Sequence, residues 1–256
     1  MNWELEKELY EAGKRYKYWP YAIETFEYNI SLPCITAEKR QEFYAQKAEL
    51  QREALRYFEE TKHCGSFVSF FGTQCSTLIF FNSPWKRRLK ACSDYVRAAA
   101  GVWNMADTSW AYRRQWLSFF NRHKEEVRKS WMTEKELSVL HSLSKPFTLY
   151  RGYNKPHAKM GLSWTLDIRV AAKSPHFRAH GKANPWIIAA IANPEDVIAY
   201  LDGRQEREII IDPKRILKII RQERAEEAVH KDGNKARTDL LRLLSIRYAK
   251  EHSKAS

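Results

Sequence analysis

The rhythm of apolar positions changes near residue 147 of this 256-residue chain. Before that point apolar side chains recur at helical spacing; beyond it they fall into short runs separated by Gly and Pro turns. The first part therefore predicts a mostly helical region, with Glu38 to Glu60 as its longest uninterrupted helix-forming stretch and Thr36 or its neighbour as the cap. Two apolar runs, Phe67–Phe71 and Leu78–Phe81, flank Gly72-Thr73-Gln74-Cys75-Ser76, a texture that fits either a hairpin or a buried helix. Ser83-Pro84 then opens a basic helical stretch. Thr133-Glu134-Lys135-Glu136 has the form of a capping box and predicts a short helix through Leu143, ending before Pro146.

The second part predicts strands at Phe147–Arg151, Leu162–Thr165, Trp186–Ile191, Val197–Tyr200 and Glu208–Ile211. A short helix is expected over Asp167–Lys173 and a loop over Ser174–Asn184. From Arg221 the pattern turns helical again, with a break near Asp232-Gly233-Asn234 and an apolar stripe of Leu240, Leu241, Leu244 and Tyr248 suited to packing on its own core or docking a partner. The expected fold class is α+β. A helical, basic and aromatic-rich extension over residues 1–130 precedes a β-rich core with a C-terminal helix over 131–256.

Charge adds a class of partner. The formal net charge of +13 predicts attraction to polyanions through phosphate contacts. Between Lys86 and Lys129 there are eleven lysines and arginines against four acids, interleaved with Trp103, Trp110, Tyr112, Trp116, Phe119 and Phe120. Aromatic faces beside cations grip single-stranded nucleic acid; at helical spacing the same rings equally make a core beneath a solvated charged face. The N-terminus is too charged for a signal peptide, and no apolar run approaches the roughly 20 residues of a membrane span. Cys34, Cys64, Cys75 and Cys92 show no CxxC spacing and no His–Cys cluster, so they read as reduced thiols in the cytoplasm, with no metal expected.

Three clusters carry candidate chemistry: Leu149-Tyr150-Arg151-Gly152, Gly161-Leu162-Ser163-Trp164-Thr165, and Gln205-Glu206-Arg207-Glu208 ahead of Ile209-Ile210-Ile211. A guanidinium can fork onto a diphosphate. Ser163 and Thr165, two apart on a strand, share a face, with Trp164 turned the other way; Glu206 and Glu208 are expected to share a face in the same manner. In their order and spacing these clusters, within about Thr133 to Ile216, resemble the Arg–Ser–Glu branch of the ADP-ribosyltransferase superfamily, which includes many bacterial toxins.

The resemblance implies an enzyme that transfers ADP-ribose from NAD to a macromolecule. It implies that Arg151 binds the dinucleotide and braces the fold, that Gly152 lets backbone approach the ligand, that Ser163 contacts NAD and holds the catalytic carboxylate, and that Thr165 supports the site. Glu208 becomes the catalytic residue, and Glu206 orients or deprotonates the nucleophile. RNA is the acceptor that the basic, aromatic-rich segment favours, whereas Glu206 two residues before the catalytic Glu points to a protein arginine. A non-enzymatic nucleic-acid-binding module is the third reading. A toxin or phage-conflict role, with an antitoxin as partner, would suit such an enzyme. His157, His176 and His180 are further candidates for contact with NAD or substrate.

Overall fold

The computed structural model describes residues 86–105, 112–154, 158–178, 186–225 and 227–230, together with scattered positions between 49 and 81. The cap at Thr36, the start of the Glu38–Glu60 stretch, the C-terminal stripe at Leu240–Tyr248, and His157 and His180 lie outside the described residues. The fold is α+β, and the chain forms two compact units, Met1–Trp131 and Met132–Ser256. Among the described residues no helix is long and apolar enough to cross a membrane.

Every regular element among the described residues of the first unit is a helix. Residues 56–61 are helical, followed by α1 (Cys64–Ser69), α2 (Lys86–Lys90), α3 (Tyr95–Met105) and α4 (Arg113–Trp131). Residues 76, 77, 80 and 81 are also helical, so the described part of the two apolar runs takes the helical alternative and not the hairpin. Trp116, Phe119 and Phe120 fall on one face of α4 at the i, i+3, i+4 spacing, and all three are buried. Trp116 meets Trp103 of α3 edge-on at 5.0 Å, and Phe80 stacks on Tyr95 at 4.6 Å. Trp131 closes the end of α4 by donating its indole N–H to the Val96 carbonyl at 2.7 Å. These rings, with Tyr112, are core. The proposed stacking surface for nucleic-acid bases is corrected accordingly for every described aromatic of the segment, because helical periodicity turns the rings inward. Arg87, Arg88, Lys90, Arg97, Arg114 and Lys129 remain exposed on the outside.

In the second unit the predicted capping box forms. Thr133 Oγ1 accepts from the Glu136 N–H, Glu136 Oε2 accepts from the Thr133 N–H at 2.7 Å, and α5 runs Glu134–Ser142. Six strands follow: β1 (Phe147–Tyr153), β2 (Ser163–Thr165), β3 (Trp186–Ala192), β4 (Val197–Leu201), β5 (Glu208–Ile211) and β6 (Lys218–Arg224). They form one sheet of order β4-β5-β2-β1-β3-β6 in which every pairing is antiparallel. β3 (Trp186–Ala192, Ile- and Ala-rich) and β5 (Glu208 followed by three Ile) are buried along nearly their whole length.

Two expectations are corrected. Of the segment expected to be helical from Arg221, residues 225 and 227–230 are helical, but Lys218–Arg224 is the edge strand β6, because its backbone pairs with β3 from Lys218 against Ile191 to Arg224 against Trp186. Tertiary pairing overrides the helix propensity of Arg, Gln and Glu here, and Arg224 adds a cation–π contact 4.4 Å over the Trp186 ring. The predicted loop from Ser174 is helical as far as Arg178, since α6 spans Ile168–Arg178. Asp167 starts α6 by accepting from the Arg169 N–H at 2.8 Å. Ile168 and Ala171 of α6 then pack with Ile187 of β3, against Tyr150 of β1.

Candidate active site

β1, β2 and β5 are neighbours in the sheet, so the three clusters that carry the candidate chemistry lie on adjacent strands. The register places Tyr150 opposite Thr165, and Thr165 opposite Glu208. Directly opposed residues share a face, and Ser163 lies two positions from Thr165 along the pleat, so Ser163, Thr165 and Glu208 stand on one face. Glu208 is 6 % exposed at the first position of β5, flanked by Thr165 on one side and Leu201 of β4 on the other. Trp164 turns the other way into the core and donates its indole N–H to the Gly161 carbonyl at 3.0 Å.

The Thr165 hydroxyl works in two directions. It donates to the Glu206 carbonyl at 2.6 Å and accepts from the Asp167 N–H at 3.1 Å, tying the approach to β5 to the start of α6. The Leu166 N–H donates to the Arg207 carbonyl at 3.1 Å and extends the same seam.

Arg151 is next to Tyr150 on β1, so the pleat alternation turns its side chain to the face opposite Thr165. Its guanidinium is buried and reaches the second cluster through backbone: Nε donates to the Ala158 carbonyl at 3.0 Å, and Nη1 donates to the Ser163 carbonyl. Arg151 is thus bonded to the backbone of the strand that carries the serine, from the face away from Ser163 and Glu208, so the expected sharing of one face by guanidinium, serine and glutamate is not met. Gly161 makes room for it, since a Cβ there would overlap the Arg151 Nη2 and Cζ atoms. Gly152 pairs with Ile187 across β1 and β3.

Glu206 departs from the expected geometry. The two glutamates do not share a strand face, because β5 starts at Glu208 and Arg207 adopts the left-handed region at φ 47°, with Gln205 likewise at φ 58°. The turn rotates Glu206 out of the pleat, where it is half-exposed and its Oε2 sits 2.8 Å from Arg204 Nη2. Asp202 holds this turn, accepting from the Gln205 N–H through its carbonyl at 2.9 Å and from the Arg207 N–H through Oδ1 at 3.1 Å.

Glu136 is the residue that sequence reasoning placed in a cap and missed as part of the site's support. Its Oε1 accepts from the Asp202 N–H at 2.5 Å while Oε2 holds Thr133, so one buried carboxylate clamps α5 to the turn leading into Glu208. Burial alone would raise its pKa, but the hydrogen bonds from Thr133, Asp202 and Gly203 outweigh it and hold the carboxyl below the usual glutamate range. The motif gave the local bond; the long-range one had no sequence signal.

No metal-ligand cluster was expected from cysteine spacing. Among the described residues one group nevertheless gathers in the first unit, Cys64, Cys92 and Asp94, from segments far apart in sequence. No protein-family model, curated protein or solved structure matches this chain.

Proposed function

We propose that the second unit is an NAD-dependent ADP-ribosyltransferase domain acting on a macromolecule. The observation that carries this reading is the register Tyr150–Thr165–Glu208, which brings three sequence-distant clusters onto adjacent strands with a buried carboxylate beside two hydroxyl-bearing residues. Such a carboxylate can hold a ribose hydroxyl and stabilise oxocarbenium character as the bond from C1′ to the nicotinamide nitrogen breaks and nicotinamide leaves with the electron pair. The acceptor oxygen or nitrogen then bonds to C1′ and gives up its proton, for which Glu206 at the rim is the available base. Arg151 fixes the serine-bearing strand, and Ser163 and Thr165 position the carboxylate and the dinucleotide.

RNA is the acceptor that the net charge of +13 favours. With the described aromatic rings between Lys86 and Lys129 committed to the core, recognition by that segment would run through phosphates and weaken steeply as salt rises. A second reading, transfer to a protein arginine, rests on the acidic, half-exposed Glu206. Incubation of the purified chain with labelled NAD and RNA, DNA or cell protein separates these. Label on RNA supports the first reading, label only on polypeptide the second, and label on no macromolecule overturns the assignment of transfer.

A further inference from the structure

Away from the sheet, three ligand-type side chains meet in the helical unit. Cys64 opens α1; Cys92 and Asp94 lie in the turn between α2 and α3. Their two sulfurs and a carboxylate oxygen all lie within 4.8 Å of one another, and all three residues are buried at that point. The arrangement is held rigidly, since Asp94 Oδ1 accepts from the Cys64 N–H at 2.9 Å and Oδ2 from the Gly65 N–H at 3.0 Å. His63 stands at the rim with Nδ1 3.0 Å from Asp94 Oδ2.

We propose that Cys64, Cys92 and Asp94, with His63 as fourth ligand, bind one zinc ion that pins α1 to the α2–α3 turn. Tetrahedral zinc with sulfur at about 2.3 Å and oxygen or nitrogen at about 2.0–2.2 Å sets its donors roughly 3.5–3.8 Å apart. The spread of the two sulfurs and the Asp94 oxygen needs only small side-chain adjustments to reach that, and the exposed His63 ring, now paired with Asp94 outside that group, turns inward to complete the shell. Two sulfurs, an imidazole and a carboxylate suit zinc in preference to magnesium or calcium, which take oxygen ligands. Both thiols face the Asp94 carboxylate in a buried site; a divalent cation is the species that lets both become thiolate donors beside it, releasing their protons to solvent. Asp94 keeps its backbone bonds and offers its remaining lone pairs. This site is independent of ADP-ribosyl transfer, and its role is structural, because four protein ligands leave no open position for a reacting group.

The test is a cobalt titration of the full-length, reduced, metal-stripped protein, read as a thiolate-to-cobalt charge-transfer band, followed by displacement with zinc. The expected result is saturation at one equivalent, an upward shift of the melting midpoint on adding zinc, and reversal of that shift by a chelator. The double variant Cys34→Ser/Cys75→Ser keeps the band, Cys64→Ser/Cys92→Ser loses it, and His63→Ala keeps it with about tenfold or more weaker binding. Absence of the band in the wild-type protein while its thiols react freely overturns the proposal, whether or not any variant folds. So does a band that survives removal of Cys64 and Cys92.

Discussion

The two units solve burial in opposite ways. In the first, the interior is made of rings at helical spacing, from Phe80 and Tyr95 to Trp116 and Phe120, and its lysines and arginines stay toward the outside while Asp94 is the buried carboxylate among its described residues. In the second, the interior is a sheet of Ile and Ala that nonetheless encloses Arg151, Thr165, Glu208 and, beneath the cap, Glu136. Burying a polar group is unfavourable unless its bonds are made, and here the side chains of Arg151, Thr165 and Glu136 are each tied to another segment. The contrast teaches where to look for chemistry: large apolar volume dominates one unit, and a run of retained polar groups on adjacent strands marks the candidate site in the other.

That contrast can be broken at its strongest point first. Trp116→Ala should cost about 3–5 kcal/mol in denaturant unfolding, because a fully buried ring leaves a cavity, with transfer activity per folded molecule unchanged. Glu208→Gln should do the reverse. It is nearly isosteric, so the melting midpoint should hold and NAD should still bind, while single-turnover transfer falls about 10²–10³-fold or more; wild-type rates in this variant would remove Glu208 from its assigned role.

A matched pair of glycines sharpens the comparison. Gly161→Ala drives a methyl into the Arg151 guanidinium and should destabilise by about 1–3 kcal/mol while weakening NAD binding. Gly101→Ala, on α3 with nothing within 4 Å of the new methyl, should be neutral or stabilise by up to about 1 kcal/mol. Thermal melts of the two proteins, with NAD titrations, check both signs.

The smallest effect is expected from pH. Because folding lowers the Glu136 pKa, its contribution is present above the ordinary glutamate value and is lost as pH falls through the lower, folded one. Stability should therefore decline on acidification into that range, and Glu136→Gln should flatten the decline when unfolding is followed against pH.

How much of this was legible in the sequence depended on how local the cause was. The capping box at Thr133 and Glu136 is a four-residue pattern, and it formed where the pattern stood. The apolar run after Glu208 marked the start of β5 because β-branched residues in a short run have few other uses. β6 was missed because Lys218–Arg224 has the composition of a helix and owes its conformation to β3. The turn at Arg207 was missed because left-handed backbone usually advertises itself with glycine, and here Gln205 and Arg207 adopt it. The gathering of Cys64, Cys92 and Asp94 was invisible for the same reason as the Asp202–Glu136 bond: each needs two segments to be folded before the partners meet.

The left-handed residue at 207 has an effect on how such a domain can change. It works as a swivel, uncoupling the orientation of position 206 from that of 208. One glutamate is locked inside the sheet and the other hangs outside it, so selection could rewrite position 206, proposed to meet the incoming molecule, without disturbing position 208, proposed to carry the cleavage.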